Sequence, residues 1–548
     1  MARVAAHYRL VRRQLRTGMR DRFVRVKNAP VWAFAIIVGA ASAYATIGLR
    51  LAIDLISVVA FGETQTMIAS AASSLGPIRA WFAPVIGGLA VSGVLYTADR
   101  ASWLRGGRGQ GISDVIEARA VKDGQIPART GLAAAVVSAL SVGTGGSAGR
   151  EGPAVHLGAA VASFLDSKLG FSAQDRRTLL GCGAAGAVAA SFNAPIAGVL
   201  FALEVVMGAY GLSIFGPIAV ASVTATVITR THLGNFPAVV APEYGLIANE
   251  DVVLAAFLGI FCGLLASCFL LATEQMTLRV RQFADERKIS YIFLPPIGGA
   301  LIGLMGAIYP EIFGVGYEAV ANAFTGSYEL RALILILLFK IAATAVTLSC
   351  RFGGGVFSPG LVIGALAGSA YGALITQNFA VGTASPAFFA MVGMGATSGA
   401  IIGAPISTTL IVFEMTGDYA LTVSLILSVA LATFMTQGLV GHSFFHWQLS
   451  RRGYDLSEGP QGVILQTIRV RDVMEKMPEG NPLGDDAERL FVQDSLGSAL
   501  ARLEKLDEPG LPVVYEAERD RIVGYLSRVR ALATYNRALV DSHIEHHR

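Results

Sequence analysis

The sequence predicts an all-α membrane protein that crosses the bilayer many times and ends in a small α/β module. Of 548 residues, 53% are hydrophobic and only 15% are charged, whereas a soluble domain usually carries about 25% charged residues. Many apolar runs are shorter than a full span or are broken by glycine and proline. Motifs that contain these two residues also recur in two halves of the chain. These features predict tilted and partial helices, which suit a transporter better than a simply anchored receptor.

Residues 1–29 form a basic N-terminal segment. Its first 27 residues contain eight arginines and one lysine against a single aspartate, so the positive-inside tendency predicts a cytoplasmic N-terminus. The apolar run that follows has the length of a full span and no obvious cleavage site, which argues against a signal peptide. An amphipathic helix on the inner membrane surface and a solvated tail fit the basic segment equally well.

The membrane part is predicted to consist of two repeats, residues 30–230 and 252–455, with a polar connecting loop at 231–251. The two repeats share motifs in the same order. At an offset of 206 residues, Gly149, Pro153 and Gly158 match Gly355, Pro359 and Gly364, respectively. At an offset of 210 residues, Pro195 matches Pro405 and Glu204 matches Glu414. Repeats interrupted by glycine and proline indicate a binding site near the middle of the membrane.

The segment from Gly143 to Pro153 is the strongest candidate for a functional site. Its glycines expose backbone N–H groups, and Pro153 suits the first turn of a helix. A helix N-terminus favours negative charge, so the segment predicts an anion site. Glu151 adds a functional hypothesis, because an ionisable residue within membrane sequence is costly. The alternative is an interfacial loop in which Arg150 and Glu151 pair with each other or with neighbours.

Two further glycine-rich loops could contribute to this site. Gly353, Gly354 and Gly355 precede a helix start, where backbone amides can turn toward an anion without obstruction from side chains. A tight packing loop is the alternative interpretation. In the loop at residues 106–114, Gln110 and Ser113 offer polar side chains, but glycine loops are common and this signal alone is weak.

These motifs resemble the three signature motifs of the CLC chloride channel and transporter family, in the family's order and spacing. The matching stretches are Gly149-Arg150-Glu151-Gly152-Pro153, Gly355-Val356-Phe357-Ser358-Pro359 and Gly109-Gln110-Gly111-Ile112. The resemblance covers residues 30–455. It implies two repeats of inverted topology, a homodimer with one pore in each subunit, and a multi-pass protein of a bacterial plasma membrane with both termini cytoplasmic.

The resemblance also implies roles for individual residues. Glu151 would be the gating glutamate, whose carboxylate can occupy an anion position and swing away. The amides of Val356 and Phe357 would line the central anion site. The other residues of that anion site would be Gln110, Gly111, Ile112, Arg150, Gly152, Gly355 and Phe445.

Departures from the family pattern bear on the mechanism. Gln110 stands where most members have a serine, and Phe445 stands where a tyrosine usually contacts the central anion, so two hydroxyl donors are missing. Exchangers commonly place two adjacent acids after the Ala-Pro-x-Ala-Gly helix, and the second accepts protons from inside. Here Glu204 is followed by Val205, which cannot relay protons. We therefore predict a chloride channel gated by Glu151 with weak or no proton coupling. The alternative is a chloride/proton exchanger whose proton path uses Glu151 with Glu204 or water.

Residues 456–548 are predicted to form a small cytoplasmic α/β module that resembles a CBS domain. The stretch 470–474 resembles the start of such a unit, and 510–514 and 522–527 resemble its later strands. About 80 residues cannot hold the two repeats that normally form a nucleotide cleft, given ordinary element lengths. The module is therefore predicted to be truncated and structural, without a nucleotide cofactor. A membrane-anchored nucleotide sensor remains the third hypothesis.

Metal, cofactor, nucleic acid and enzyme activity are not predicted. No nucleophile and base pair has suggestive spacing. The cysteines lie in apolar stretches without metal-ligand spacing and are predicted to be small buried hydrophobes. They are Cys182, Cys262, Cys268 and Cys350. The expected partners are chloride or other small anions, the lipid bilayer and a second copy of the chain.

Overall fold

The computed structural model describes residues 29–104, 111–167, 170–235, 248–378, 385–454, 465–466, 468–476, 488–516 and 518–547. In the first half the helices are α1 (Ala29–Phe61), α2 (Ile68–Leu75), α3 (Pro77–Arg100), α4 (Ile112–Val121), α5 (Ala128–Gly143), α6 (Glu151–Asp166), α7 (Ala173–Phe192), α8 (Pro195–Phe201) and α9 (Leu212–Leu233). In the second half they are α10 (Asn249–Glu286), α11 (Leu294–Gly306), α12 (Tyr317–Phe324), α13 (Leu330–Ser349), α14 (Phe357–Asn378), α15 (Pro386–Ile402), α16 (Pro405–Thr416), α17 (Tyr419–Val440) and α18 (Phe444–Ser450).

The predicted all-α membrane architecture is confirmed. Seven of the described helical segments are long and apolar enough to cross a bilayer. They are Pro30–Phe61, Pro77–Arg100, Leu212–Leu233, Asn249–Glu286, Leu330–Ser349, Phe357–Thr376 and Tyr419–Ser450. Other apolar helices, including α5 and α15, have only 16 and 17 residues. A span needs about 20 residues, so these shorter helices fit the predicted partial crossings.

Paired glycines bring helices together in the same way in both halves. A Cβ atom at Gly158 of α6 would lie 2.4 Å from the carbonyl oxygen of Gly183 in α7, and the reverse distance would be 2.3 Å. In the second half, Gly364 of α14 and Gly393 of α15 give 2.2 and 2.4 Å. Small residues allow the backbones of membrane helices to approach closely. The glycines of the sequence repeat therefore mark a structural repeat of two closely crossed helix pairs.

Two acidic side chains join the halves, because each accepts hydrogen bonds from a helix of the other half. Glu204 lies in a π-helical turn after α8 and accepts hydrogen bonds from the backbone N–H groups of the second and third residues of α16, at 3.1 and 2.7 Å. Glu414 of α16 accepts from the second and third residues of α8, at 3.0 and 2.7 Å. Each half thus supplies the carboxylate that caps a helix of the other. Such reciprocal contacts are those of two units related by a local two-fold axis.

The C-terminal region has the small mixed fold that the sequence predicts. Helix α19 (Val470–Val473) precedes strand β1 (Leu490–Phe491), helix α20 (Leu496–Leu506), strands β2 (Gly510–Tyr515) and β3 (Glu518–Ser527), and helix α21 (Arg528–His547). Strand β2 pairs in parallel with β1 and antiparallel with β3. The apolar side chains that form its core include Val470, Leu490, Leu503, Val513 and Leu526. Three strands and their helices fit a single CBS-like unit.

One of the four cysteines departs from its predicted burial. Cys182, Cys262 and Cys350 are buried, but Cys268 is exposed. The prediction was wrong for Cys268 because hydrophobic surroundings in the sequence do not distinguish the protein-facing from the lipid-facing side of a membrane helix. On α10, Cys268 shares an exposed stripe with apolar neighbours such as Phe261, Leu264 and Leu271.

Candidate anion site

The two glycine-rich motifs predicted to converge are joined by backbone hydrogen bonds. Gly149 and Gly355 form an antiparallel bridge in which each N–H group donates to the other's carbonyl oxygen, at 2.8 and 2.7 Å. Two residues beyond each glycine, α6 starts at Glu151 and α14 starts at Phe357. The bridge therefore brings two helix N-termini from different halves to one place, where their unpaired N–H groups favour negative charge.

Glycine is required at this junction for steric reasons. Gly354 has φ +142°, and a Cβ atom there would lie 2.3 Å from that of Ala148. A Cβ atom at Gly149 would lie 2.5 Å from Oε2 of Glu151. Larger residues would therefore separate the loops or displace the carboxylate.

Glu151 is a buried carboxylate at the first position of α6, with 2% of its surface exposed. Its Oε1 accepts a hydrogen bond from the Tyr317 hydroxyl at 3.3 Å. The same oxygen lies 4.0 Å from Nε of Arg150. Oε2 is buried and has no hydrogen-bond partner among the described residues. The carboxylate is thus held by few contacts within the protein, which suits a side chain that leaves its site.

A cavity of about 570 Å³ reaches this junction and contains several of the predicted residues. The predicted residues that line it are Gly111, Ile112, Gly152, Gly355 and Phe445. The three motifs and the α18 segment are far apart in sequence, and the fold brings them to one space. Phe445 offers no hydroxyl group there.

Arginines supply the charge of this cavity. Its charged lining residues in the described part of the chain are Arg281, Arg351, Arg451 and Arg452, with no aspartate or glutamate. Arg452 is held by Asp114 at 2.9 Å and Glu117 at 2.7 Å. A recess lined by charge of one sign raises the local concentration of counter-ions. This cavity is therefore suited to attract anions toward the glycine junction.

The other predicted site residues take different positions. Val356 and Phe357 are almost fully buried, and the ring of Phe357 packs edge-on against Phe192 at 5.2 Å. Arg150 lies outside the cavity, with its guanidinium over the ring of Tyr317 at 5.4 Å. Gln110 falls outside the described residues. Ser113 donates to the side chain of Gln448 at 2.7 Å.

Glu204, the candidate for a proton path, does not line the cavity. Both of its carboxylate oxygens accept backbone hydrogen bonds at the start of α16. A carboxylate in this position stabilises the helix that it caps. Glu204 therefore has a structural role as the cap of α16.

Sequence reasoning missed Tyr317, Arg281 and the charge of the cavity. Tyr317 is 166 residues from Glu151 in sequence and belongs to none of the glycine motifs. Arg281 lies in the last two turns of α10 and resembles any basic residue at a helix end. Arg351 could have been found from the sequence, because it lies two residues before the first glycine of the second motif, Gly353.

This combination of helix N-termini from the two halves of the chain, a buried glutamate and an arginine-lined cavity is typical of a membrane protein that handles anions. The family described as voltage gated chloride channel matches residues 87–437. The chain therefore belongs to the voltage-gated chloride channel, or CLC, family, and this membership supports transmembrane chloride transport as its activity.

Similar proteins cover most of the membrane part. A putative chloride channel protein described as ClcB-like, from Ralstonia nicotianae, is 31% identical over 404 residues, which are 72% of this chain and 91% of the relative. The voltage-gated ClC-type chloride channel ClcB of Escherichia coli O17:K52:H18 is 29% identical over 416 residues, covering 75% of this chain and 96% of the relative.

Solved structures share the fold. A slow cyanobacterial Cl⁻/H⁺ antiporter gives a TM-score of 0.66 at 22% identity, over 77% of this chain and 97% of that chain. A CLC-type fluoride/proton antiporter gives 0.62 at 22% identity, over 76% and 97%. At these identities the likeness concerns the fold.

Proposed function

We propose that this protein is a chloride channel gated by Glu151, with weak or no coupling to protons. The observation that carries the proposal is the buried Glu151 carboxylate at the junction of two helix N-termini, beside an arginine-lined cavity. An ionised carboxylate there takes the place of an anion. When it is protonated or swings away, the N–H groups of the junction become available to chloride.

The residues after α8 favour passive conduction over exchange. Val205 has no titratable group at the position where exchangers of the family commonly carry the internal proton acceptor. Glu204 is engaged as a helix cap on both oxygens. A passive pathway needs only a gate and an anion site, and the proposal assigns these to Glu151 and to the helix starts joined by the Gly149–Gly355 bridge.

Reversal potentials distinguish a channel from an exchanger. We expect purified protein in planar bilayers, under opposed chloride and proton gradients, to reverse at the chloride equilibrium potential. A passive channel has no thermodynamic link to the proton gradient, so changing the pH on one side should leave the reversal potential unmoved. A shift with the proton gradient would instead identify an exchanger and contradict the proposal.

Replacing Glu204 by glutamine tests whether this residue has a structural role. We expect Glu204→Gln to leave the reversal potential unchanged but to lower stability by about 1–3 kcal/mol, because a helix start loses a charged acceptor. Thermal unfolding in detergent measures this loss. Glu414→Gln is the matched variant in the other half and should give a similar loss. A Glu204→Gln protein of normal stability with altered proton coupling would assign Glu204 to a proton path.

The arginine-lined cavity also supports an orientation. Arg451 and Arg452 line the cavity, follow α18 directly and precede the C-terminal module in the sequence, which favours a position of cavity and module on the same side of the membrane. The positive-inside tendency favours the cytoplasmic side for this face. We infer a bacterial plasma-membrane protein with both termini cytoplasmic. A C-terminal alkaline phosphatase fusion should be inactive, and an active fusion would reverse this orientation.

We further propose a homodimer. Helices α8 and α16 hold each other's caps, and their matching residues Ile196 and Ile406 are 53% and 47% exposed. An apolar face that is itself two-fold symmetric suits a contact between identical copies. Light scattering of detergent-purified protein should give the mass of two chains, and the mass of one chain would exclude the dimer.

A further inference from the structure

Tyr317 provides the hydrogen bond that holds the carboxylate of Glu151. Among the described residues, the phenol hydroxyl of Tyr317 is the side-chain donor within reach of this carboxylate, at 3.3 Å from Oε1. Tyr317 is itself 8% exposed. Both partners of the bond are therefore buried, and the cationic neighbour of the same oxygen, Arg150, lies farther away at 4.0 Å.

Arg150 strengthens the orientation of the phenol more than it pairs with the glutamate. Its Nε lies 4.0 Å from Glu151 Oε1, at the limit of an ion pair. Its guanidinium carbon stands 5.4 Å from the centre of the Tyr317 ring, in the range of a cation–π contact. One face of the Tyr317 ring is thus covered by Arg150, the residue that precedes Glu151.

Lys340 of α13 holds the backbone segment that precedes Tyr317. The Lys340 side chain is fully buried, and its Nζ donates to the carbonyl oxygens of Ile312 and Gly314, at 2.9 and 3.0 Å. Gly316, next to Tyr317, has φ +90°, a conformation that favours glycine. The turn into α12 therefore has a defined path.

The residues on either side of Tyr317 are held by α2 and the segment before it. The Val315 N–H group donates to Oε1 of Gln65 at 3.2 Å. Glu318 accepts from the N–H groups of Ala69 and Ser70 at the start of α2, at 2.8 and 3.1 Å. These contacts hold the backbone around Tyr317 in place. The phenol hydroxyl therefore keeps its position while the Glu151 side chain moves.

We propose that Tyr317 is a latch for the gate: its hydroxyl holds the Glu151 carboxylate in the docked position and thereby sets the fraction of channels that are closed. The inference rests on the proposed gating role of Glu151 and adds a positioning residue to it. Opening breaks the Tyr317–Glu151 bond. The energy of that bond therefore contributes to the closed state and not to the conducting state.

Chloride efflux from liposomes tests the latch with three variants: Tyr317→Phe, Glu151→Gln and the double variant. Tyr317→Phe removes one oxygen atom and keeps the ring under Arg150. We expect it to raise efflux at neutral pH by about tenfold, the usual scale for one hydrogen bond to a charged group. In the Glu151→Gln background the same change should alter efflux by less than about twofold, because no charged carboxylate remains to be held.

Tyr371→Phe is the matched control. The Tyr371 hydroxyl donates to the backbone carbonyl of Leu254 at 3.0 Å, between α14 and α10, and does not touch the gate. It should leave efflux unchanged.

Equal increases of efflux in Tyr317→Phe and Tyr371→Phe would overturn the latch. So would a double variant in which the effects of Tyr317→Phe and Glu151→Gln on efflux simply multiply. If Glu151→Gln raises efflux while Tyr317→Phe does not, the proposed role of Tyr317 is wrong and the proposed gating by Glu151 is retained. If Glu151→Gln itself has no effect, the proposed gating fails.

Discussion

Glu151→Gln should raise chloride flux at neutral pH by about tenfold to thirtyfold and should abolish its dependence on pH. Glutamine has nearly the shape of the protonated side chain but carries no charge at any pH. The interaction of a partly buried charge with a helix N-terminus is worth up to about 2 kcal/mol, and each 1.4 kcal/mol changes an equilibrium by about tenfold. The docked state loses this stabilisation, so the pathway opens.

Liposome efflux across a series of external pH values measures both parts of this prediction. The wild-type protein should conduct more as the pH falls, because protonation of Glu151 removes the same charge. Glu414→Gln is a suitable control, since it removes a carboxylate that caps the start of α8 and not the start of α6 or α14. It should keep the pH dependence. A Glu151→Gln protein that still responds to pH like the wild type would contradict the gating role.

Gly364→Leu should prevent the membrane part from folding. The first side-chain atom would lie 2.2 Å from the carbonyl oxygen of Gly393, and backbone cannot move aside as a flexible side chain can. Overpacking of a tight interior typically costs about 1–3 kcal/mol, and a backbone clash lies at or above that range. Since α14 also begins at the candidate anion site, the displacement would reach Gly355 and the bridge to Gly149.

Fluorescence-detected size exclusion of a tagged protein measures this loss as a missing monodisperse peak. Gly438→Leu in α17 is the matched control, because a Cβ atom at Gly438 has no neighbour within 4 Å. It should leave the peak intact. Gly158→Leu, in the corresponding pair of the first half, should behave like Gly364→Leu. A well-folded Gly364→Leu protein would show that the crossing of α14 and α15 tolerates a wider separation.

Much of the candidate site could be predicted because its signals are local. Glycine loops followed by a proline in the first turn mark where a helix starts and where its N–H groups are free, and both properties belong to a few consecutive residues. The matching offsets then indicated that the two helix starts are equivalent. The Gly149–Gly355 bridge agrees with that interpretation. Glu151, at the start of α6, stands where the sequence placed it.

Residues that act through distant partners could not be predicted in the same way. The repeat marked Glu204 and Glu414 as equivalent, but not that each caps a helix in the opposite half. Cys268 shows the same limit on a smaller scale, since an apolar stretch does not reveal which of its sides meets lipid.

By itself, the sequence determined that this is a membrane protein of many helices, and it predicted an anion site at two paired helix starts with a glutamate at one of them. Only the tertiary structure decided which groups these residues meet: the Tyr317 hydroxyl beside Glu151, the arginines that line the cavity, and the start of α16 beside Glu204. The physical reason is the range of the interactions. Helix starts, glycine turns and apolar length arise from neighbouring residues, whereas hydrogen bonds and charges across a site depend on how separate segments pack.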